Sequence, residues 1–451
     1  MSTLRTVTLG CKVNQYETEW VRQGLTNSGY RDAREDEAAD LCLVNTCTVT
    51  AEGDSKSRQA IRQLARRNPN ARIIVMGCYA TRDPGEVARL PNVAEVVTDK
   101  RELPDLMSRL GVVEVPQGLS RFDGRQRAYV KVQDGCMLHC SFCIIPQVRP
   151  HLVSRPPDHI LDEIERLVAH GFHEIVLTGI HLGHYGIEQN QGKPKADWLR
   201  LSSLLARIAG LEGDFRVRLS SIEATEVTRE LIAVMAAHPE RICPHLHISL
   251  QSGSDSVLRR MRRRWGARRF VDRCRLFQES VELPAITTDI IVGFPGETEA
   301  EFMETCAVAR EVPFSKIHVF PFSARRGTPA AEMPGQIAEG EKGERAERLK
   351  ELDAVLRREY HTRLIGRRLR VLVEGTFPHQ PDLAGGTSCR FAFVQFRDHG
   401  FQRRQLVDVL ATGIAGDNLC GAAVVPEAHE NLANASRPSI HSQAQTSRVN
   451  D

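Results

Sequence analysis

The feature that most constrains this chain is a repeated alternation of short β-branched, apolar runs with helical patterns. Strands joined by helices run parallel, because the helix carries the chain back to the edge where the previous strand began. In the first stretch, strands are expected at Arg5–Leu9, Leu41–Asn45, Arg72–Met76 and Val93–Val97. Helices are expected at Gln15–Ser28, Ala51–Arg67, Pro84–Arg89 and Glu102–Leu110. This reads as an α/β unit over residues 1–113, a parallel sheet with helices on both faces. Pro116, Gly118 and Gly124 mark Val115–Asp123 as a linker.

A second alternating region occupies residues 122–355. Its expected strands are Ala128–Val132, Glu174–Leu177, Arg216–Leu219, Leu246–Ser249, Ala285–Ile290 and Lys316–Phe320. Six β/α units favour an open or closed partial (β/α)6 barrel over a flat sheet. Glu341–Ile365 is a charged helical pattern of mixed sign. Residues 363–426 are β-rich, with turns expected at Gly385–Gly386, Asp398–Gly400 and Gly413–Asp417, and suggest a small all-β barrel. The polar stretch 427–451 has no pattern and is expected to be a disordered tail.

Composition narrows the function. The chain has 451 residues, 41% hydrophobic and 26% charged, which is ordinary globular usage. No apolar run reaches the ~18–20 residues of a membrane span. The opening MSTLRTVTLG lacks the apolar core of a secretory signal, so a cytoplasmic location is expected. In that compartment twelve cysteines point to metal, cluster or redox chemistry, not to a disulfide framework.

Six of those cysteines have a distinctive placement. Cys136, Cys140 and Cys143 lie in KVQDGCMLHCSFCIIP, directly after the strand Ala128–Val132. Three thiolates so close in sequence can converge on one centre, either zinc or an iron–sulfur cluster. A structural zinc site needs a fourth protein ligand. None sits at finger-like spacing, although His139 and His151 are near. Cys11, Cys47 and Cys78 each follow a strand of the first unit, in TLGC, LVNTC and VMGC. Parallel strands bring their carboxyl ends to one edge, where open α/β sheets bind ligands, so these three are also expected to meet. Cys42, Cys243, Cys274, Cys306, Cys389 and Cys420 read as packing residues.

These motifs carry a family resemblance. The C-x3-C-x2-C loop after a first barrel strand resembles the radical S-adenosylmethionine (SAM) enzymes. The resemblance implies a [4Fe-4S] cluster whose open iron binds SAM, and a 5′-deoxyadenosyl radical formed by reductive cleavage of SAM. Phe142 matches the aromatic common inside that loop. The motifs VLTGIHLG, RLSSIE, HISLQSGSD and TDIIVGFPGE follow in the family's order. By resemblance they assign Gly179, Ser220, Ser221, Glu223, Gln251 and Gly293 to SAM, all at strand ends where barrel sites form.

GCKVNQYETE, NTCTVT, KSRQAIR and GCYA narrow the resemblance to methylthiotransferases. This implies a second [4Fe-4S] cluster on Cys11, Cys47 and Cys78 that carries the sulfur, and the use of two SAM molecules. CKVNQYETE and SKIHVFPFSARRGTPAAEMPGQ are most similar to the branch acting on threonylcarbamoyladenosine beside the tRNA anticodon. The implied product is the 2-methylthio base. An electron donor and a sulfur source are implied as further partners. Other branches act on isopentenyladenosine or on a ribosomal-protein aspartate. Two departures stand out: Pro150 in place of a usual glycine, and Val153 in place of a usual arginine. The β-rich end resembles a TRAM domain, weakly at Thr387–Val394.

The net charge of +3 hides a concentrated patch. Val257–Arg275 holds nine arginines and one acid, a local charge of +8. Arginine forks onto phosphate and stacks on bases, and phosphate neutralisation drives RNA binding. Arg262, Arg263, Arg264, Arg268 and Arg269 are therefore expected to face RNA, joined by Arg367 and Arg368 of the β-rich unit. Phe391, Phe393, Phe396 and Phe401 could stack on bases, although aromatics alternating in this way more often form core.

Overall fold

The computed structural model describes residues 2–424. The expected tail, 427–451, lies outside the described residues.

The N-terminal unit is a parallel sheet with strand order Arg31–Asp32, Thr3–Thr8, Leu41–Thr46, Arg72–Gly77 and Val93–Val96. Its central strand, LCLVNT, is buried at every position, as a strand covered on both faces must be. Alternation sorts its side chains. Cys42, Val44, Ile73 and Val75 pack with Ile61 and Leu64 of the helix Ala51–Arg67. Leu41, Leu43, Ile74 and Met76 pack with Val21 and Leu25 of the helix Lys12–Asn27 and with Leu106 of Leu103–Arg109. Thr50 caps the helix Ala51–Arg67 by accepting from the Gly53 amide at 3.1 Å. The short helix Cys78–Arg82 and the edge strand Arg31–Asp32 are additions that periodicity did not indicate.

The central unit has the six expected parallel strands: Ala128–Asp134, Glu174–Gly179, Arg216–Leu219, His245–His247, Ala285–Val292 and Lys316–Pro321. The first three pair in order, as do the last three. Single parallel bridges, Val217 to Ile242 and Ile222 to Ile248, join the halves. The first and sixth strands do not pair, so the barrel is open. The free edge of Lys316–Pro321 is covered by the helix Glu339–Leu364, whose Asp353 accepts from the Ile317 amide at 2.6 Å. Strand Val153–Ser154 returns antiparallel beside the first strand. Pro150 lies exposed in the turn leading to it, so its missing donor leaves no buried group unpaired.

The N-terminal unit packs on the first barrel strand through the helix Lys12–Asn27. A buried guanidinium joins them. Arg149 donates to Glu17 at 2.7 and 2.8 Å, to Asp134 at 2.8 Å and to Asn14 at 2.8 Å. Lys131 completes the set, 2.7 Å from Glu17 and 2.6 Å from Asp134. A second link runs from Arg325 to Asp54 and Thr48, each at 2.6 Å.

Residues 368–423 form a closed five-stranded barrel. Gly385 and Gly386 do not form the expected turn; both lie inside the strand Gln380–Ser388. A side chain at Gly386 would sit 1.9 Å from the Leu372 carbonyl, so close strand approach is what demands glycine there. Phe396 is core, and Phe391 stacks on His245 at 4.7 Å. The small barrel closes the end of the central barrel where the strands begin. Arg216 and Arg218 donate to the carbonyls of Thr387 and Ser388 at 2.8 and 2.9 Å. Both arginines, with Arg127, converge on the buried Glu174.

Breaking a buried ion pair from one side leaves an uncompensated charge and costs about 3–5 kcal/mol. Arg149→Met should lower the urea midpoint of the iron-free protein by the equivalent of that loss. An unchanged midpoint would refute the linking role.

Candidate active site between two cysteine triplets

The central loop leaves the first strand through Gly135, at φ +80°, where a Cβ would meet the His151 carbonyl at 2.0 Å. Gln133 fixes the exit. Its Nε2 donates to the carbonyls of Asp134 and Gly135 at 2.6 and 2.7 Å, and its Oε1 accepts from the His181 amide at 2.8 Å. Ser141 donates through its amide to Met261 O at 3.0 Å and through its hydroxyl to Arg260 O at 2.7 Å, docking the loop on the segment after the fourth strand. Cys136, Cys140 and Cys143 line a cavity of about 150 Å³ together with Phe142, Ser221, Glu223 and Gln251.

Burial pushes the Cys140 thiol up, opposed by the Arg263 guanidinium, whose Nη1 lies 3.5 Å from Sγ. Burial pushes Cys143 up to about 12. His181 stands with Nδ1 3.6 Å from Cys136 Sγ and Nε2 3.0 Å from Glu226. Its own burial favours the neutral ring, but hydrogen bonds to Cys136 and Glu226 outweigh that and hold its pKa up at about 10. His184 stacks on it at 3.6 Å. Two cationic groups thus face this triplet, Arg263 at Cys140 and His181 at Cys136, while burial keeps the Cys140 and Cys143 thiols raised.

In the N-terminal unit, Cys11, Cys47 and Cys78 stand at the carboxyl ends of three adjacent strands, as expected. Gly10, at φ +95°, brings its Cα against Cys47: a Cβ there would lie 3.0 Å from Sγ. Gly77, at φ +102°, is as tightly placed against Thr46. Asn14 donates to the carbonyls of Leu9 and Thr46 at 2.9 and 3.0 Å, holding two strand ends together. Cys11 is exposed, yet desolvation by the surrounding protein raises it, Arg149 lowers it, and Cys78 raises it again; Cys78 also acts on Cys47. Cys78 therefore lies within electrostatic reach of both other thiols.

Both triplets suit a cluster better than a single ion. Thiolates on one zinc crowd within one coordination sphere at Zn–S distances of about 2.3 Å. Among the described residues, no metal-binding group with all ligand atoms within 4.8 Å includes a cysteine. His139 and His151 are exposed. Three soft donors, spaced more widely and without a fourth thiol, match a four-iron body with one open corner.

The other expected site residues divide. Phe142, Ser221, Glu223 and Gln251 share the cavity with the thiols. Gln251 holds a left-handed backbone, φ +69°. Ser220 is buried, and its hydroxyl has no partner among the described residues. Gly179 is a packing glycine, its missing side chain replaced by Gln133. Gly293 is covered by Lys342, and its amide already donates to Glu297 at 2.6 Å. That donor is therefore engaged within the protein.

Arg263 requires a correction. It does not face solvent; its side chain is 3% exposed and pairs with Glu223 beneath Cys140. Trp265 Nε1 also donates to Glu223, at 3.0 Å. Arg262, Arg264, Arg268 and Arg269 are exposed, with Arg268 paired to Asp272 at 3.2 Å. Arg367 and Arg368 lie at the opposite end of the central barrel, the former paired with Glu282 at 2.8 Å. The fold does not gather these arginines on one surface. His181 and Glu226 were not indicated by sequence; His181 sits in GIHLG, a motif whose local signal is its glycine.

The raised Cys143 thiol has a measurable consequence. In metal-free protein its alkylation by iodoacetamide should be slow at pH 7.5. The rate should keep climbing above pH 9, because thiolate accumulates only as pH approaches about 12. A rate that levels off near pH 8 would refute the burial.

Residues 3–99 match a family model described as uncharacterized protein family UPF0004, and residues 130–309 match the radical SAM superfamily. The threonylcarbamoyladenosine tRNA methylthiotransferase MtaB of Bacillus subtilis is 42% identical over 394 residues, covering 84% of this chain and 86% of the relative. Its namesake from Thermotoga maritima is 40% identical, covering 83% and 87%. The tRNA-2-methylthio-N(6)-dimethylallyladenosine synthase of Mycolicibacterium smegmatis is 35% identical, covering 93% and 86%. In fold, the chain resembles the radical SAM methyltransferase TsrM of Kitasatospora setae, with a TM-score of 0.55, 14% identity and coverage of 73% and 75%. No helix among the described residues is long and apolar enough to cross a membrane. Motif order, thiol geometry and relatives matched over more than four-fifths of their length converge: this chain belongs to the radical SAM methylthiotransferases.

Proposed function

We propose that this protein methylthiolates C2 of threonylcarbamoyladenosine beside the anticodon of tRNA, using SAM and two [4Fe-4S] clusters. The observation that carries the reading is that two cysteine triplets from separate units are tied to one interface by Arg149. Its partners Asn14 and Asp134 lie three and two residues from Cys11 and Cys136.

When bound, the clusters and SAM supply a hydrogen-abstracting radical and the sulfur to be transferred. The chain's own residues hold and insulate. Cys136, Cys140 and Cys143 would hold one cluster, and Cys11, Cys47 and Cys78 the other. Arg263 and His181 place positive charge beside Cys140 and Cys136, which stabilises anionic sulfur. Glu223 keeps Arg263 in place. Ser221 and Gln251 offer polar groups at the cavity wall, and Phe142 an apolar one. The small barrel covers the far end of the central barrel. An anticodon-loop base is already partly unpaired, so presenting it costs little.

Reconstituted protein should hold about eight irons per chain, the content of two four-iron clusters. Cys140→Ala should abolish 5′-deoxyadenosine formation, whereas Cys47→Ala should retain it and lose methylthio transfer. Mass analysis of tRNA from cells lacking the protein should show threonylcarbamoyladenosine without its 2-methylthio form. Normal levels of the methylthio nucleoside there would overturn the substrate assignment.

Arg264 and Arg269 remain candidates for the RNA backbone. Arg264→Glu with Arg269→Glu should weaken anticodon stem-loop binding about tenfold near 0.1 M salt, with the deficit shrinking as salt rises. Equal affinity would place the RNA path elsewhere.

A further inference from the structure

Three polar side chains on adjacent barrel strands have no part in the chemistry above. They are His247 on His245–His247, Asp289 on Ala285–Val292 and His318 on Lys316–Pro321. Their side-chain polar atoms lie within 4.8 Å of one another. His247 Nε2 is 3.2 Å from Asp289 Oδ2, and its Nδ1 is 3.0 Å from Thr287 Oγ1. Strand register sets Asp289 beside His318. All three are half-buried, so they border open space.

This set lies next to the thiol cavity. The Gln251 amide donates to the Asp289 carbonyl at 2.8 Å, and Gln251 lines the cavity with Cys136, Cys140 and Cys143. Lys12 approaches from the N-terminal unit. It follows Cys11 and opens the helix that packs on the first barrel strand. Protein surrounds its ammonium, yet solvent reaches it. Asp289, Arg127 and Arg218 of the barrel act on it through space, and no hydrogen bond within the described residues neutralises it. Lys12, next to Cys11, and the polar set, next to Gln251, therefore approach each other from the two units that carry the cysteine triplets.

A cation without a protein partner among the described residues is a ready site for an anionic group, which it binds by a charge-assisted hydrogen bond. A threonylcarbamoyl group carries a carboxylate, a hydroxyl and ureido N–H donors. A dimethylallyl group carries none of these and would leave the ammonium unmatched. We propose that Lys12, together with His247, Asp289 and His318, forms the subsite that receives the amino-acid substituent on the target adenosine. Lys12 takes the carboxylate, and the polar wall takes the hydroxyl and ureido groups. This inference rests on the proposed substrate, and it assigns to these residues the discrimination against apolar adenosine substituents.

The test uses reconstituted full-length protein and three anticodon stem-loops. They carry threonylcarbamoyladenosine, its neutral threonine-amide analogue, or isopentenyladenosine. Wild type should favour the carboxylate over the amide at least about tenfold in kcat/KM, as expected for one charge-assisted hydrogen bond. Lys12→Met should erase that preference and Lys12→Arg should restore most of it. His318→Phe, distant in the chain from both triplets, should raise KM for the threonylcarbamoyl substrate by a similar factor and keeps the test open should Lys12→Met lose iron. A Lys12→Met enzyme with the wild-type preference for carboxylate over amide would overturn the subsite. So would zinc that survives chelation in wild type and is lost in His318→Phe, because the polar wall would then be a metal site. A wild-type enzyme inert on threonylcarbamoyladenosine but active on isopentenyladenosine would instead overturn the substrate reading itself.

Discussion

The buried guanidinium of Arg149 is the contact on which the rest of the molecule depends. It reaches from the loop after the central cysteines to Glu17 and Asn14 of the first helix and to Asp134 at the end of the first barrel strand. Two acids and two bases, counting Lys131, neutralise one another away from water. Such an arrangement is a poor source of stability compared with apolar packing, but it tolerates very little change in geometry. That intolerance is useful here, because its anchors lie within a few residues of Cys11 and Cys136. Two sulfur-bearing edges, built by separate sheets, are held in one fixed relation.

The same logic governs the far end of the barrel. Glu174, wholly buried, collects Arg127, Arg216 and Arg218, and the last two pass their remaining donors to carbonyls of the small C-terminal barrel. Around the thiols, charge is placed one group at a time: Arg263 at Cys140, His181 at Cys136, and the acids Glu223 and Glu226 behind them. Each sulfur-facing cation is braced by its own carboxylate, which fixes its position and keeps it charged.

Much of this was legible in the chain because the relevant signals are local. The strand and helix patterns, the six barrel strands and the placement of the cysteines after strands all rest on short-range periodicity. The roles of particular polar residues did not follow so well. Arg263 looked like its neighbours in an arginine run, yet it turns inward, because Glu223, forty residues earlier in the chain, offers a buried partner. Beside Gly179 and Gly293, Gln133 and Lys342 fill the space a side chain would take, which no local pattern indicated. Gly385 and Gly386 suggested a turn, and neighbouring strands claimed them instead.

The sequence by itself determined the α/β architecture, the two sets of three cysteines and the edge at which each set stands. It could do so because parallel β/α connections place the carboxyl ends of neighbouring strands side by side whatever the loops do. Only the tertiary structure decided which charges meet sulfur, which meet one another and which meet water. Those outcomes depend on distances between residues remote in the chain, such as Asn14 and Arg149 or Arg325 and Asp54. No local pattern encodes such a distance; it is fixed only when the separate sheets pack.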